Sequence, residues 1–378
     1  VKNKTNFQTV RVKLPRKSES YDILIGSNTL NRLGEEARKV LHSQSHRVCL
    51  VSNDKVFHLY GKAATKSLRD AGFAVSVFLI GDGERFKSFR TLEKTLQFFS
   101  EQKLERIDAV IALGGGVVGD LAGFAAAVYL RGISFIQVPT TLLAQIDSSV
   151  GGKTAVNTNF GKNLIGAFHQ PRAVIIDTDT LKTLPQRELT AGWCEAIKQG
   201  AIASEKLFNQ TVNALKSGDN INELIAAQVR FKASIVAGDE REDITRTDFR
   251  SRRILNFGHT AAHALETITD YKHFRHGEAV GYGMLAACEI GKRLDITPPD
   301  LLVSIIAAVK AAGCLPCADH LSPSKVISLI KHDKKSVGGK IKWILLERFG
   351  RAKIVDGDDV PSEIVRESLQ VVLKKKYL

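Results

Sequence analysis

The stretch Ala109-Val110-Ile111-Ala112-Leu113-Gly114-Gly115-Gly116-Val117-Val118-Gly119-Asp120 decides the fold. Five apolar residues run straight into a glycine cluster, and an Ala- and Leu-rich segment follows. A short, wholly apolar run bounded by glycine reads as a parallel strand covered on both faces. G-x-G-x-x-G in the order strand, turn, helix suits close backbone approach to a phosphate or pyrophosphate at a helix N-terminus. The acidic ribose-binding residue of the usual dinucleotide fingerprint is expected ~20 residues on. Pro139-Thr140-Thr141 stands there instead, so a ribose would be held from elsewhere. The loop Gly83-Glu84-Arg85-Phe86-Lys87-Ser88 offers a carboxylate and an ammonium for it.

Outward from this stretch, similar apolar runs recur at Val48 to Val51, Ala74 to Ile80, Phe135 to Val138 and Ala173 to Ile176, with amphipathic stretches Val56 to Ala71 and Ser88 to Gln102 between them. Alternating strand and helix argues an α/β class with a parallel sheet. From about Leu189 helical periodicity takes over, at Ile221 to Val236, Ala261 to Ile268, Glu278 to Leu294 and Leu301 to Ala312. The expectation is a Rossmann-like sheet domain over residues 1–188, an all-helical domain over 189–378, and an active site in the cleft between them. A chain of 378 residues is long enough for two or three domains at roughly 150 residues each.

Hydrophobic residues make up 44% and charged residues 25%, which excludes disordered and low-complexity classes. No run approaches the ~18 apolar residues of a membrane span, and the first residues are polar, so a cytoplasmic protein is expected. A net charge of +14 favours anionic partners without choosing among them. Five cysteines, an odd number in a long chain, read as reduced thiols. Cys314-Leu-Pro-Cys317 has no second CxxC to make a zinc knuckle.

Residues 139–169 combine glycines with Thr140, Thr141, Asp147, Lys153, Lys162, Asn163 and other polar groups, which suits a polar, anionic ligand. Glu195 and Lys198 are three apart and share a helical face. His259 and His263 lie one helical turn apart, and His276 follows in His276-Gly277-Glu278. Thr260 occupies the position where an H-E-x-x-H protease needs its general base, so that reading fails. A metal site built from one carboxylate and two or three histidines survives.

Seven segments together resemble the 3-dehydroquinate synthases, a sugar-phosphate cyclase family: GGGVVGD (114–120), LRGISFIQVPTTLLAQIDSSVGGKTAVN (130–157), GKNLIGAFHQP (161–171), AGWCEAIKQG (191–200), LNFGHTAAHALE (255–266), HGEAV (276–280) and HDKKSVGGKIK (332–342). The resemblance implies an NAD- and Zn²⁺- (or Co²⁺-) dependent carbon–oxygen lyase of the shikimate pathway. It would convert 3-deoxy-D-arabino-heptulosonate 7-phosphate to 3-dehydroquinate. It implies Glu195, His259 and His276 as metal ligands and His263 as a hydrogen-bond or proton-transfer partner of the substrate. NAD would lie against Gly114, Gly115, Gly116, Val117 and Asp120, with Glu84 and Lys87 on the ribose side and Thr140, Thr141, Asp147, Lys153 and Lys162 along the rest. Asn53 or Asp54 would meet the adenosine. Substrate anions would be gripped by Lys153, Asn163, Lys198, Lys232, Asn256, Arg252 or Arg253, and Lys334 or Lys335. Arg131 would reach into a neighbouring subunit's site, which implies a homodimer. Between Asp239-Glu240 and Asn256 the chain is longer than the family's usual spacing.

Two enzyme readings and one binding reading compete. Another cyclase of the epi-valiolone or deoxy-inosose synthase type would leave the carboxylate-gripping cations unpaired. A polyol dehydrogenase would consume NAD stoichiometrically. Nucleic-acid binding rests on charge alone, with no aromatic-basic interleaving to support it.

Overall fold

The computed structural model describes residues 20–332 and 341–374. A six-stranded sheet is built from β1 (Asp22–Gly26), β2 (Arg47–Asn53), β3 (Ala74–Ile80), β4 (Ala109–Gly114), β5 (Ser134–Pro139) and, beyond a hairpin of β6 (Lys153–Thr158) with β7 (Gly161–Phe168), β8 (Ala173–Asp177). Its order is β1-β8-β5-β4-β2-β3, and every neighbouring pair is parallel. The expected α/β class and the five anticipated strands are present, while β1 adds an edge that the sequence reading omitted.

Both faces of this sheet are covered, as a parallel sheet requires. Val110 and Ala112 of β4 point into one apolar cluster together with Cys49, Val51, Leu121 and Phe135. Ile111 and Leu113 point into another with Leu50, Leu68 and Ile136. Side chains alternate between the faces of a strand, so a continuous apolar run is what this burial demands. The order in which strands are added across the sheet reverses between β2 and β4, because β2 leads outward to β3 while β4 leads the other way to β5. The crevice at the carboxyl ends of those two strands is where ligands settle in open α/β sheets. Asn53 and Gly114 end the two strands there.

The second half is helical, with helices Gln186–Ala203, Ile221–Gly238, His259–Ile268, His276–Arg293 and Pro299–Ala312 near their expected positions. One correction is needed: strands do not stop at Leu189. An antiparallel hairpin, β9 (Lys342–Arg348) with β10 (Arg351–Asp356), packs Trp343, Ile344, Leu345 and Leu346 into the helical core. That core is continuous with the sheet through Val174, Ile176, Leu142 and Ile146. Among the described residues no helix is long and apolar enough to cross a membrane.

Two glycines set how closely the helices of this half approach. A Cβ on Gly277 would lie 1.9 Å from the Ala191 carbonyl oxygen, and one on Gly283 would lie 1.9 Å from that of Gly258. Helix His276–Arg293 therefore presses backbone to backbone against helix Gln186–Ala203 and the start of helix His259–Ile268. Those three helices carry Glu195, His259 and His276.

Candidate active site

Glu195, His259 and His276 offer one ligand atom each, all within 4.8 Å of one another. Glu195 is fully buried, and its Oε1 lies 3.4 Å from His276 Nε2 and 3.9 Å from His259 Nε2. Neither carboxylate oxygen receives a hydrogen bond, although the Lys198 ammonium is 2.5 Å from Oε2. A buried carboxylate without hydrogen bonds, facing two imidazoles, is a donor set awaiting a cation. An acid with two histidines suits Zn²⁺ or Co²⁺ and leaves a position open for substrate. His263, on the same helix as His259, has its ring 5.5 Å from that of His259 and 6.3 Å from that of His276. It is exposed and borders the ligand set.

Electrostatics agree with a cation here. Burial holds His259 well below its ordinary value, helped by the Lys198 charge, so it stays a neutral ligand. Burial also opposes charge on His276, but the Glu266 and Glu195 carboxylates on either side overcome it and push the imidazole up to about 10. A divalent ion would take over that positive charge and release the proton. Burial opposes the Lys198 ammonium as well, yet Glu195 and Asp147 raise it above the ordinary lysine value.

From this triad a polar chain runs back to the glycine-rich turn. His276 Nδ1 is 3.3 Å from Glu266 Oε2, and Lys162 Nζ donates to Glu266 Oε1 at 2.9 Å. Lys162 lies 3.8 Å from Glu84, which accepts from Asn157 Nδ2 at 2.7 Å. Asn157 Oδ1 accepts from the Asn163 N–H, and Asn163 Oδ1 accepts from Lys87 Nζ at 2.5 Å. Lys87 closes the chain on Asp120 in the first turns of helix Gly116–Val128. Burial raises the Asp120 carboxyl, with Lys87 pulling against it.

The turn itself has the shape a dinucleotide needs. Gly115 precedes the first turn of that helix, and added Cβ atoms would meet Thr141 at 3.0 Å from Gly115 and Ser148 at 3.2 Å from Gly116. The third glycine, Gly119, packs the helix on β5, where a Cβ would lie 2.5 Å from Gln137 Oε1. Val117 sits in the helix's first turn, and Thr140 N–H bonds Gly114 O. Thr140 Oγ1 is buried without a partner, whereas Thr141 Oγ1 accepts from Ala144 N–H. Asn53 caps the following helix through Val56 N–H and also donates to Asp82 at 3.3 Å. Asp54 is exposed on that helix.

The residues expected to grip anions form a second group. Lys232 Nζ bonds Asp147 Oδ1 at 2.6 Å and its carbonyl at 2.5 Å, and Gln199 donates to Asp147 at 3.2 Å. Arg252 is buried, holding Gly151 O at 3.1 Å and Glu240 O at 2.5 Å. Arg253 instead reaches Ile244 O in the longer loop. Lys153 pairs with Glu242, which also accepts from Asn256 Nδ2 at 3.2 Å. Arg131 stands apart, exposed in a turn where Leu130 and Arg131 have φ of 48° and 67°. Lys334 and Lys335 lie outside the described residues.

Two residues at this site, Glu266 and Glu242, were not singled out from sequence, whereas Asn157 belongs to the polar 139–169 stretch that was. Glu266 falls seven positions after His259, two turns along one face, but a helical carboxylate there reads as a solvent-facing charge. Glu242 sits in the charged run Asp239 to Asp243 and reads as solvated loop. A second convergence, of Cys317, Asp319 and His320, lies on one loop at the surface.

The family description 3-dehydroquinate synthase N-terminal matches residues 77–191, and 3-dehydroquinate synthase C-terminal matches 192–336. The chain belongs to the 3-dehydroquinate synthase family. The 3-dehydroquinate synthase of Pelotomaculum thermopropionicum is 44% identical over 358 residues, covering 93% of this chain and 94% of that one. A crystal structure of 2-deoxy-scyllo-inosose synthase, complexed with carbaglucose-6-phosphate, NAD⁺ and Co²⁺, superposes with a TM-score of 0.79. It is 25% identical and covers 92% of this chain and 96% of its own. ValA, the 2-epi-5-epi-valiolone synthase of Streptomyces hygroscopicus with NAD⁺ and Zn²⁺ bound, shares the fold at a TM-score of 0.86 and 23% identity, over 97% and 100% of the two chains. A 3-dehydroquinate synthase architecture thus accounts for both the glycine-rich crevice and the Glu-His-His convergence.

Proposed function

We infer that the protein converts 3-deoxy-D-arabino-heptulosonate 7-phosphate to 3-dehydroquinate and phosphate, as a lyase using NAD and Zn²⁺ or Co²⁺. One observation carries this reading: a single polar chain links a dinucleotide-shaped glycine turn to an acid and two imidazoles that converge on one point. When bound, the two cofactors supply reversible hydride transfer at a substrate carbinol and Lewis-acid stabilisation of its oxygen.

The chain's own residues supply the rest. Glu195, His259 and His276 hold the ion, and Gly114, Gly115, Gly116, Val117 and Asp120 cradle NAD, with Glu84, Lys87, Lys162, Thr140, Thr141, Asp147 and Asn53 around it. Lys153, Asn163, Lys198, Lys232, Arg252 and Asn256 orient the phosphate and carboxylate of the substrate; Lys334 and Lys335 are proposed to complete that grip. Because anions must be bound in a partly buried site, cations pre-paired with Asp147 and Glu242 avoid standing uncompensated before substrate arrives. His263, at the rim of the ligand set, is placed to move a proton to or from substrate.

A homodimer in the cytoplasm is part of the proposal. Exposed Arg131 is flanked by exposed Val128 and Leu130, and the bond of His169 to Ile133 O brings the C-terminal end of β7, with exposed Phe168, near this turn. An exposed apolar surface with an arginine suits a protein interface. The division at 188/189 is also a proposal, supported by the last strand of the sheet ending at Asp177, just before helix Gln186–Ala203 opens the helical half.

Phosphate release from the heptulosonate phosphate, with NAD and Zn²⁺ or Co²⁺ added, tests the reading. Release without NADH accumulation supports it. NADH accumulating in step with turnover would mean a polyol dehydrogenase, and release only from a sugar phosphate lacking a carboxylate would mean another cyclase.

A further inference from the structure

Glu266 belongs to no ligand set, yet its carboxylate, 1% exposed, joins the two halves of the site. One oxygen takes Lys162 Nζ at 2.9 Å from β7, and the other faces His276 Nδ1 at 3.3 Å. Lys162 is held in place by the Tyr271 ring, 4.3 Å from its Nζ, and by Glu84 at 3.8 Å. A buried carboxylate with one oxygen on the Lys162 ammonium and the other on the His276 imidazole is geometrically fixed, and it fixes the ring plane of His276. With Nδ1 engaged, Nε2 is the nitrogen left to face Glu195 Oε1.

The geometry assigns Glu266 the role of a positioning residue that orients His276 toward the metal position and couples that position to the NAD side through Lys162. This inference rests on the cofactor reading given above. A carboxylate behind a metal-ligating histidine fixes its tautomer and raises its basicity. When NAD draws the Lys162 ammonium toward itself, the Glu266 charge is less compensated and His276 faces a fuller anion. The imidazole becomes a better ligand, so NAD tightens metal binding, and by linkage the metal tightens NAD by the same factor.

The test is Co²⁺ titration of the full chain, followed by visible absorption, with and without saturating NAD and without substrate. Wild-type protein should bind Co²⁺ more tightly with NAD, by about fivefold or more. Glu266→Gln should weaken Co²⁺ binding by about 10–100-fold and bring the NAD effect close to one. Lys162→Met leaves the buried carboxylate in place and should abolish the NAD effect by itself, which keeps the test decisive if Glu266→Gln does not fold. Unchanged Co²⁺ affinity in Glu266→Gln, or an intact NAD effect in Lys162→Met, overturns the inference. In either case wild-type phosphate release would still stand, so the enzymatic reading survives. Wild-type protein that binds no Co²⁺ defeats both.

Discussion

Lys198 Nζ and Glu195 Oε2 lie 2.5 Å apart on one face of helix Gln186–Ala203, both side chains at most 1% exposed. Each is the other's charge partner in the buried interior, and the Glu195 carboxyl is held well below its usual range. Burial would raise it, but the Lys198 charge and His276 overcome that effect. Removing only the acid leaves a buried ammonium uncompensated, which costs about 3–5 kcal/mol. Glu195→Ala should therefore lose both Co²⁺ binding and stability. Adding Lys198→Met should restore much of the stability and none of the metal binding. Urea unfolding and Co²⁺ titration of the single and double variants check this.

Gly277 offers a separate route to the same centre, because the contact of its Cα with the Ala191 backbone sets the distance between His276 and Glu195. A methyl there would lie 1.9 Å from the Ala191 carbonyl oxygen, and only the two helices can give way. Gly277→Ala should cost about 1–3 kcal/mol of stability, as overpacked cores do. It should also weaken Co²⁺ binding while every ligand is still present. A variant with the wild-type Co²⁺ spectrum and affinity would show that the close helix contact does not set the ligand geometry.

The parallel strands were legible because burial on both faces leaves an uninterrupted apolar run, as in Ala109 to Leu113. β1 was not, since the edge strand Asp22–Gly26 is only five residues long and partly exposed along most of its length. The β9–β10 hairpin hides for a related reason: its buried run, Trp343 to Leu346, is as short as a helix fragment, and periodicity over four residues cannot separate the two. At the site, ligand-type residues announced themselves by chemistry and spacing. Glu266 did not, because a carboxylate on a helix reads as a solvent-facing charge. Its burial depends on Lys162, 104 residues away, which no local pattern contains.

Asp147 gives the site a pH dependence whose sign can be fixed. Burial alone would raise its carboxyl, but the Lys232 and Lys198 charges hold it below the ordinary aspartate value. A folded-state value depressed in this way contributes stability that is intact above the unfolded value of about 3.9 and is lost as pH falls through the folded one. Asp147→Asn should be less stable than wild type at pH 7. The gap should begin to close as pH drops below about 4, where the unfolded chain's carboxylate takes up its proton, and should close fully only below the depressed folded-state value. Urea midpoints of both proteins measured from pH 7 downward test this, and a gap independent of pH would assign the loss to packing instead.

Arg252 and Arg253 are adjacent in sequence and opposite in placement, which makes them a controlled pair. Arg252 is 3% exposed, and its guanidinium joins Gly151 O, beside Lys153, to Glu240 O at the start of the longer loop. Arg253 is partly exposed and bonds Ile244 O within that loop. A hydrogen bond from a charged donor is worth about 1.5–3 kcal/mol, so if Arg252 holds the substrate carboxylate as proposed, Arg252→Ala should lower kcat/KM for the heptulosonate phosphate by about 10–100-fold. The loss should fall mainly on KM, because the grip proposed for it on the substrate carboxylate would be made before and during reaction alike. Arg253→Ala removes one exposed contact and should change kcat/KM by less than about threefold. Equal losses in the two variants would mean that the loop as a whole, and not the buried guanidinium, holds the anion.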